Sequence, residues 1–426
     1  MKNKFIMPYL VATLPVLLSA CGGSPVSNSA DTGPVFDGSS LEYVAIEGVH
    51  YPYCTDGVGD RATGWGKQDF GGGEQTCVVE RGSIDPNASP VERLVISEDL
   101  VNPNADEVTL GVYRYLRSVF GTQILSGQQD LTWDDSIDMF QRVVNDTGLA
   151  PAIMGYDFMN YTGNVDAGSG LMQTEEAIEH WERGGLVTFC WHWRDPSDAT
   201  YEFYTDLNDF FIPMDGDELD TSSETFAQIE ADVDVIAQEL LTLQEAGVPV
   251  LWRPLHEASG GWFWWGADGR PDATSPAQAQ IALWQYLYER LTHHYELNNL
   301  IWVWNGQAAN WYPGDDYVDI IGEDLYGTAQ DYSSKVNQFM SALNYPDSTD
   351  KMVAITENGT IPDPDLMAED GAWWLYFVTW NDGNSEEGVT NSNNFWTGEY
   401  YNENDHKIHV YHHELVITLD QLPDFR

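Results

Sequence analysis

The sequence predicts an α/β protein: a (β/α)8 barrel of the TIM type, preceded by a small Cys-containing module. Near-continuous apolar runs alternate with helical patterns over residues 96–426, and polar and aromatic side chains cluster where these runs end. Strands buried on both faces of a parallel sheet have such unbroken apolar runs. An open doubly wound sheet is the alternative. No Gly-x-Gly-x-x-Gly motif follows the first strand, which counts against a nucleotide-binding fold.

Eight apolar runs are the predicted strands, and six helical patterns separate most of them. The predicted strands are 122–126, 152–158, 186–193, 248–256, 300–304, 318–325, 352–356 and 374–380. The predicted helices are 106–120, 134–147, 174–184, 225–246, 275–297 and 333–343. Several helices open on Ser, Thr or Asp, the residues that cap helix N-termini.

The first residues have the pattern of an export signal. A positively charged start precedes a mostly apolar stretch, residues 5–18, which two prolines interrupt, so a cleaved signal is favoured over a membrane span. Leu18-Ser-Ala-Cys21 resembles the lipobox of bacterial lipoproteins. The resemblance implies a signal peptide over residues 1–20 and a lipid on Cys21. Because Gly22 follows, it also implies the outer membrane of a Gram-negative bacterium; secretion by an ordinary signal is the alternative.

Two short segments separate this signal from the barrel. Residues 21–41 are rich in Gly, Ser and Asp, which predicts a flexible tether. Residues 42–80 are too few to bury much core, and export allows a stapling disulfide between Cys54 and Cys77. This segment resembles a carbohydrate-binding module of family 10 but lacks a second cysteine pair, so it is either a sugar-binding module or a degenerate spacer. Residues 81–95 are a predicted linker.

The composition points to a neutral ligand. The formal net charge is −50, from 68 acidic and 18 basic residues, and the acidic residues are spread along the chain. Nucleic acid is not expected as a partner, because phosphate contacts need Lys and Arg. Aromatic residues are abundant, with 17 Trp and 22 Tyr, and aromatic rings stack on sugars. A neutral polysaccharide therefore fits the chain better than an anionic substrate.

Two glutamates stand in matching positions at predicted strand ends. Glu257 ends the run from Val250 and Glu357 ends the run from Met352, and each precedes a Gly-containing loop. Barrel enzymes carry their chemistry at the carboxyl ends of the strands. Two carboxyl groups that face one cleft are the minimum needed to cleave a glycosidic bond. The sequence therefore predicts a glycosidase with these two catalytic groups.

The residues around the two glutamates resemble glycoside hydrolase family 26. Arg253-Pro-Leu-His-Glu257, followed by Gly261-Trp-Phe-Trp-Trp265, is similar to the family's acid/base motif, and Trp191-His192-Trp193 and Glu357-Asn-Gly359 fit the same family. The resemblance covers roughly residues 96–426. It implies a retaining endo-β-1,4-mannanase in which Glu257 is the acid/base and Glu357 the nucleophile, with carboxyl groups about 5–5.5 Å apart.

The resemblance further implies three residues that act on the nucleophile. Tyr326 matches the tyrosine that hydrogen-bonds it, Arg253 is expected to keep it ionised, and Asp324 is expected to contact or orient these groups. Arg253 could also serve as a structural ion-pair partner within the barrel.

Other residues are expected to line the sugar. His192 and His256 match residues at the cleavage site, although each could be a satisfied core histidine. Trp262 and Trp380 match platforms that stack on the reacting sugar. Several other tryptophans are predicted to be core or wall. Two loop tryptophans, Trp311 and Trp396, are interpreted as distal sugar platforms.

Several alternatives stay open at this point. The same family resemblance allows a β-1,3-xylanase, a mixed-linkage β-glucanase or an exo-acting mannobiohydrolase, and a non-catalytic polysaccharide-binding lipoprotein is the non-enzyme alternative. No spacing of His, Asp and Glu resembles a catalytic metal site, so no metal or cofactor is predicted. A monomer is expected. The aromatic loop over residues 194–224 is predicted to wall off one end of the cleft.

Overall fold

The computed structural model describes residues 94–426, except 164–169, 273, 347–349 and 384–388, together with four short strands between residues 43 and 78. Cys21, Cys54, the predicted signal and tether, and most of the predicted linker lie outside the described residues. The boundaries predicted for these N-terminal segments therefore stay predictions.

The four N-terminal strands form two antiparallel hairpins. Tyr43–Ile46 pairs with Val49–Pro52, and Trp65–Asp69 pairs with Glu74–Val78. Cys77 lies in the last of these strands, where its backbone pairs with Gly66. Its predicted disulfide with Cys54 stays a prediction.

Eight parallel strands close into a barrel in chain order, which confirms the predicted fold class. They are β1 (Gly127–Gln129), β2 (Ile153–Asp157), β3 (Leu186–Cys190), β4 (Val250–Arg253), β5 (Leu300–Trp304), β6 (Ile320–Leu325), β7 (Met352–Asn358) and β8 (Phe377–Thr379). The barrel closes where Thr379 of β8 pairs with Gln128 of β1. The carboxyl ends of all eight strands therefore meet on one rim, where barrel enzymes hold their active sites.

The strand bodies form the core. Every residue of β2, β3, β4 and β5 is buried, as expected for parallel strands covered on both faces. Five tryptophans predicted to be core or wall are buried, namely Trp264, Trp265, Trp302, Trp304 and Trp374. Apolar burial of this extent gives the barrel a rigid frame for the polar side chains at its rim.

Eight α-helices accompany the strands in the part of the chain that the structure describes. They are α1 (Glu107–Val119), α2 (Met139–Thr147), α3 (Gln173–Glu182), α4 (Glu224–Glu245), α5 (Pro276–Tyr288), α6 (Val336–Ala342), α7 (Pro364–Asp370) and α8 (Asn404–Tyr411). The predicted cap Asp106 accepts from Thr109 N at 2.7 Å, whereas the helix predicted to open at Thr225 is capped by Ser223, which accepts from Phe226 N at 3.0 Å. A π-helical segment, Glu289–His294, continues α5.

The first strand was predicted in the wrong place. Within residues 122–126 the structure has a two-residue strand, Ile124–Leu125, which pairs with Val416–Ile417 and not within the barrel. The barrel strand is the polar run that follows, and its Gln128 and Gln129 are buried. A search for apolar runs missed β1 because two of its three buried residues are glutamines, whose side chains are polar amides. Helices α7 and α8 were also missed, since both are short.

The remaining short pairing is a hairpin of Met214–Asp215 with Glu218–Leu219. No helix among the described residues combines the length and the apolar character that a membrane crossing requires.

Candidate active site

Glu257 is presented by a tight turn beyond the end of β4. Leu255 and Glu257 both have positive φ, +51° and +53°, a conformation that residues other than glycine seldom adopt. The Glu257 N–H donates to the backbone oxygen of Asn305 at 2.7 Å and to its Oδ1 at 3.1 Å. Asn305 follows β5, so the neighbouring strand holds this unusual backbone in place and aims the carboxyl group.

Glu357 lies within β7 and is almost fully buried, with 3% of its surface exposed. Arg253 Nη2 donates to its Oε1 at 2.5 Å, and the Tyr326 hydroxyl donates to its Oε2 at 2.6 Å. Both carboxylate oxygens are thus hydrogen-bonded, one of them by a guanidinium. These contacts stabilise the ionised carboxylate.

Asp324 orients the arginine. A register shift between β6 and β7 pairs Asp324 with Glu357, and Asp324 accepts from Arg253 Nη1 at 3.0 Å. It also accepts from Asn305 Nδ2 at 2.8 Å and from Thr356 Oγ1 at 2.7 Å. Burial raises the pKa of Asp324 to about 7, against the opposing pull of Arg253. Asp324 therefore fixes the guanidinium between two carboxylates.

Glu257 belongs to the same cluster. One oxygen from each of Glu257, Asp324 and Glu357 lies within 4.8 Å of the others. Burial raises the pKa of Glu257 well above its usual value, and the charges of Asp324 and Glu357 add to this effect. Trp262 Nε1 donates to Glu257 Oε2 at 2.8 Å, and this hydrogen bond opposes the rise in the pKa of Glu257. The site therefore favours a protonated Glu257 beside Glu357, whose two oxygens accept hydrogen bonds from Arg253 and Tyr326.

A pair of histidines lies deeper in the rim. His192 Nδ1 and Asp157 Oδ2 are 2.6 Å apart, and the His192 N–H donates to Asp157 Oδ1 at 3.0 Å. His256 Nε2 lies 3.2 Å from His192 Nε2, and burial lowers the pKa of His256 well below its usual value. The two Nε2 atoms are within hydrogen-bonding distance of each other, so His192 links His256 to Asp157. Asp157 was missed from the sequence; it is the last residue of β2 and lies inside the second predicted strand, 152–158.

Aromatic rings surround these groups. The ring centroid of His192 lies 5.7 Å from that of Trp380, which is partly buried, and Trp262 is 44% exposed. The structure therefore brings every predicted active-site residue to one rim, with Trp262 available to a ligand.

The loop after β3 is joined to the segment that carries Trp262. Thr205 N donates to the Trp262 oxygen at 2.7 Å, and Trp264 N donates to the Phe203 oxygen at 3.1 Å. Residues 194–224 therefore lie beside the acid/base side of the site. Their predicted effect on the product pattern stays a prediction.

The interpretation of two loop tryptophans as distal platforms is wrong. Trp396 is fully buried and donates to Asp146 at 2.9 Å, and Trp311 is 9% exposed. The rim instead carries an aromatic series that the sequence analysis missed. Phe395 lies 5.3 Å from Tyr326 and 4.6 Å from Tyr401, whose neighbour Tyr400 is 42% exposed; the distances join ring centroids.

Residues 101–421 match the model of the family described as glycosyl hydrolase family 26. The chain belongs to this family. The closed eight-stranded barrel is the fold that the family resemblance implied.

Relatives of this family 26 chain include two enzymes named as mannosidases. A mannan endo-1,4-beta-mannosidase of Thermothelomyces thermophilus is 40% identical over 81% of the chain and 67% of the relative. Mannan endo-1,4-beta-mannosidase B of Piromyces sp is 32% identical over 80% of the chain. The chain spans about two thirds of the first relative's length and 56% of the second's.

A solved structure gives the same result for the fold. It is the crystal structure of a beta-mannanase from a symbiotic protist of the termite Reticulitermes speratus, complexed with gluco-manno-oligosaccharide. The two sequences are 33% identical, and the structures superpose with a TM-score of 0.67. The match covers 77% of this chain and 98% of the solved chain.

Proposed function

We propose that this family 26 glycoside hydrolase is a retaining endo-β-1,4-mannanase that cleaves mannan, glucomannan or galactomannan. The carrying observation is the pair Glu257 and Glu357 in one cluster, the first favoured in its protonated form and the second hydrogen-bonded as a carboxylate. Their oxygens lie within 4.8 Å of each other, in keeping with a retaining enzyme, whereas inverting enzymes separate the carboxyl groups by about 6.5–9.5 Å. The names of the relatives support mannan as the substrate.

The reaction follows from the two protonation states. The Glu357 carboxylate attacks the anomeric carbon while Glu257 gives its proton to the glycosidic oxygen, and the bond between that carbon and oxygen breaks. A covalent glycosyl-enzyme remains. Glu257, now ionised, takes a proton from water, whose oxygen attacks the anomeric carbon and releases Glu357. The second step restores both groups and keeps the anomeric configuration.

The surrounding residues prepare this reaction. Arg253 and Tyr326 hold the nucleophile, and Asp324 holds Arg253. Burial and the acidic groups nearby raise the pKa of Tyr326 well above its usual value, so its hydroxyl stays a donor. When Glu357 bonds to the sugar, it loses its negative charge. Arg253 and Tyr326 can then reorient their N–H and O–H groups as the charge moves.

The remaining residues contact the sugar in this proposal. His192 and His256 line the cleavage site, and Trp262 and Trp380 supply rings for stacking on the reacting sugar. Asp157 is a positioning residue that sets the tautomer of His192.

The proposal also includes a place in the cell. We infer from the lipobox that the chain is a lipoprotein, acylated on Cys21 and held in the outer membrane of a Gram-negative bacterium. A β-linked polysaccharide outside the cell would then be within reach of the enzyme. Labelling with radioactive palmitate tests this inference: incorporation is expected in the wild type and absent from Cys21→Ala, whereas equal incorporation in both would contradict it.

The activity is tested by release of reducing sugar and loss of viscosity with linear mannan. Glu357→Ala is expected to abolish both, and Glu289→Ala, with a side chain 58% exposed, is the matched control that keeps wild-type activity. If the wild type cleaves β-1,3-xylan or mixed-linkage glucan but not mannan, the proposed substrate is wrong and that polysaccharide takes its place. Full activity in Glu357→Ala would show that the nucleophile is another residue.

Added azide distinguishes the two glutamates. In Glu357→Ala, azide takes the place of the nucleophile and gives an α-mannosyl azide. In Glu257→Ala, an aryl mannoside whose phenolate leaves without protonation still forms the glycosyl-enzyme, and azide attacks this intermediate to give the β-mannosyl azide. The opposite pair of products would reverse the assignment.

A further inference from the structure

A second cluster of ligating side chains lies where α7 begins and α8 ends. His409 is in the last turn of α8, and His413 follows two residues after that helix. Asp365 is in the first turn of α7, and Asp363 is the residue that caps it. The cluster is separate from the residues used in the proposed reaction.

The four side chains converge. His413 Nε2 lies 3.2 Å from Asp365 Oδ1, and His409 Nε2 lies 3.8 Å from Asp365 Oδ2 and 3.6 Å from Asp363 Oδ2. One ligand atom from each of Asp365, His409 and His413 lies within 4.8 Å of the other two. His409, in the last turn of α8, and His413, just beyond that helix, turn their imidazoles to the same carboxyl group, that of Asp365, and imidazole is a common ligand of transition metals.

Part of the cluster is held in position before any ion binds. Asp363 Oδ1 accepts from Asp365 N at 2.9 Å and from Leu366 N at 3.3 Å, so its Oδ2 is aimed at His409. The His413 side chain is 14% exposed, and its Nδ1 accepts from Leu415 N at 3.2 Å. Exposed His–Asp ion pairs alone contribute little to stability.

We propose that Asp365, His409 and His413 bind a Zn²⁺ ion, with Asp363 Oδ2 or water in the fourth position. Imidazole nitrogen and carboxylate oxygen in a four-coordinate set suit Zn²⁺, whereas Ca²⁺ and Mg²⁺ prefer oxygen ligands throughout. The net charge of −50 raises the concentration of cations at the surface. The bound ion ties the start of α7 to the end of α8.

Binding changes one hydrogen bond. If His413 donates Nε2 to the ion, the ring proton moves to Nδ1, and the bond from Leu415 N is lost. The protein therefore loses one hydrogen bond on a flank of the site and gains three metal–ligand bonds.

Calorimetric titration with ZnCl₂ tests the proposal on the full chain, without a polyhistidine tag and after removal of metal. One site with micromolar affinity is expected in the wild type, and the double variant His409→Ala/His413→Ala is expected to weaken binding at least tenfold. His293→Ala is the matched control, because His293 is also exposed and lies 3.7 Å from a carboxylate, Glu289, and no second carboxylate among the described residues pairs with it. This control is expected to bind as the wild type does.

Thermal melting with and without ZnCl₂ gives a second readout that does not depend on activity. Zinc is expected to raise the melting temperature of the wild type and of His293→Ala but not that of the double variant. Wild-type affinity in the double variant would place the ion elsewhere, for instance at the acidic residues of the active site, and would overturn the proposal. Absence of any zinc binding to the folded wild type would overturn it as well.

Discussion

The hydrogen bond from Trp262 to Glu257 should lower the pH at which the alkaline limb of catalysis falls. Its indole N–H donates to Oε2 at 2.8 Å, and this bond favours the ionised carboxylate. Trp262→Phe keeps an aromatic ring but removes the donor. The pKa of Glu257 is then expected to rise, so the acid stays protonated to higher pH.

The size of this shift follows from the difference between two bonds. A hydrogen bond to a charged group contributes about 1.5–3 kcal/mol, and a neutral one about 0.5–1.5 kcal/mol. The difference of roughly 1 kcal/mol corresponds to about 0.7 pKa unit. Because Trp262 is 44% exposed, water replaces part of the lost bond, so a rise of about 0.5 unit is expected.

The assay is the pH dependence of kcat/KM on a soluble galactomannan. Loss of stacking lowers kcat/KM at every pH, whereas the change at Glu257 moves only the alkaline limb, which should shift to higher pH. Trp133→Phe is the matched control, since Trp133 is similarly exposed at 42% and follows β1. An alkaline limb that stays in place or moves to lower pH in Trp262→Phe would refute the reasoning.

Three further predictions test other parts of the molecule. Asp157→Asn removes a charged acceptor from His192 and should lower kcat/KM about 10–100-fold, with a changed His192 tautomer in ¹⁵N spectra; an unchanged tautomer would contradict its positioning role. Burial raises the pKa of Glu323 from its ordinary value, 4.5, to about 8. The folded state therefore loses stability as the pH rises from 4.5 through 8. Glu323→Gln should therefore melt above the wild type at pH 9 and lose this advantage at pH 5; an equal difference at both would contradict the pKa. Tyr400→Ala should raise KM several-fold for mannohexaose but not for mannotriose, and an equal effect on both would exclude a distal subsite.

Much of the fold could be predicted locally. Parallel strands covered on both faces must be apolar along their whole length, so the runs that became β2 to β8 are visible in the sequence, and Leu300–Trp304 was predicted with its observed bounds. The helix cap Asp106 is equally local. The strand β1 escaped prediction because it buries glutamines, which local hydrophobicity does not reveal.

The candidate site is partly visible in the same way. Glu257 and Glu357 could be identified because each follows an apolar run, and the binding residues because their motifs resemble those of a family. Local patterns could not show that Trp396 is buried, since the polar residues around it in the sequence lie apart from its contacts in the fold.

The sequence by itself determined the barrel, most of its strands and the identity of the two glutamates. Only the tertiary structure decided their partners, because closing a barrel brings together residues far apart in the chain. Arg253 reaches Glu357 across 104 positions, and the register shift in β6 places Asp324 beside both. The contacts of Asp157 with His192, and of α7 with α8, arise for the same reason. Burial patterns are local, whereas the electrostatics of a site depend on which side chains the closed barrel places within a few ångströms of one another.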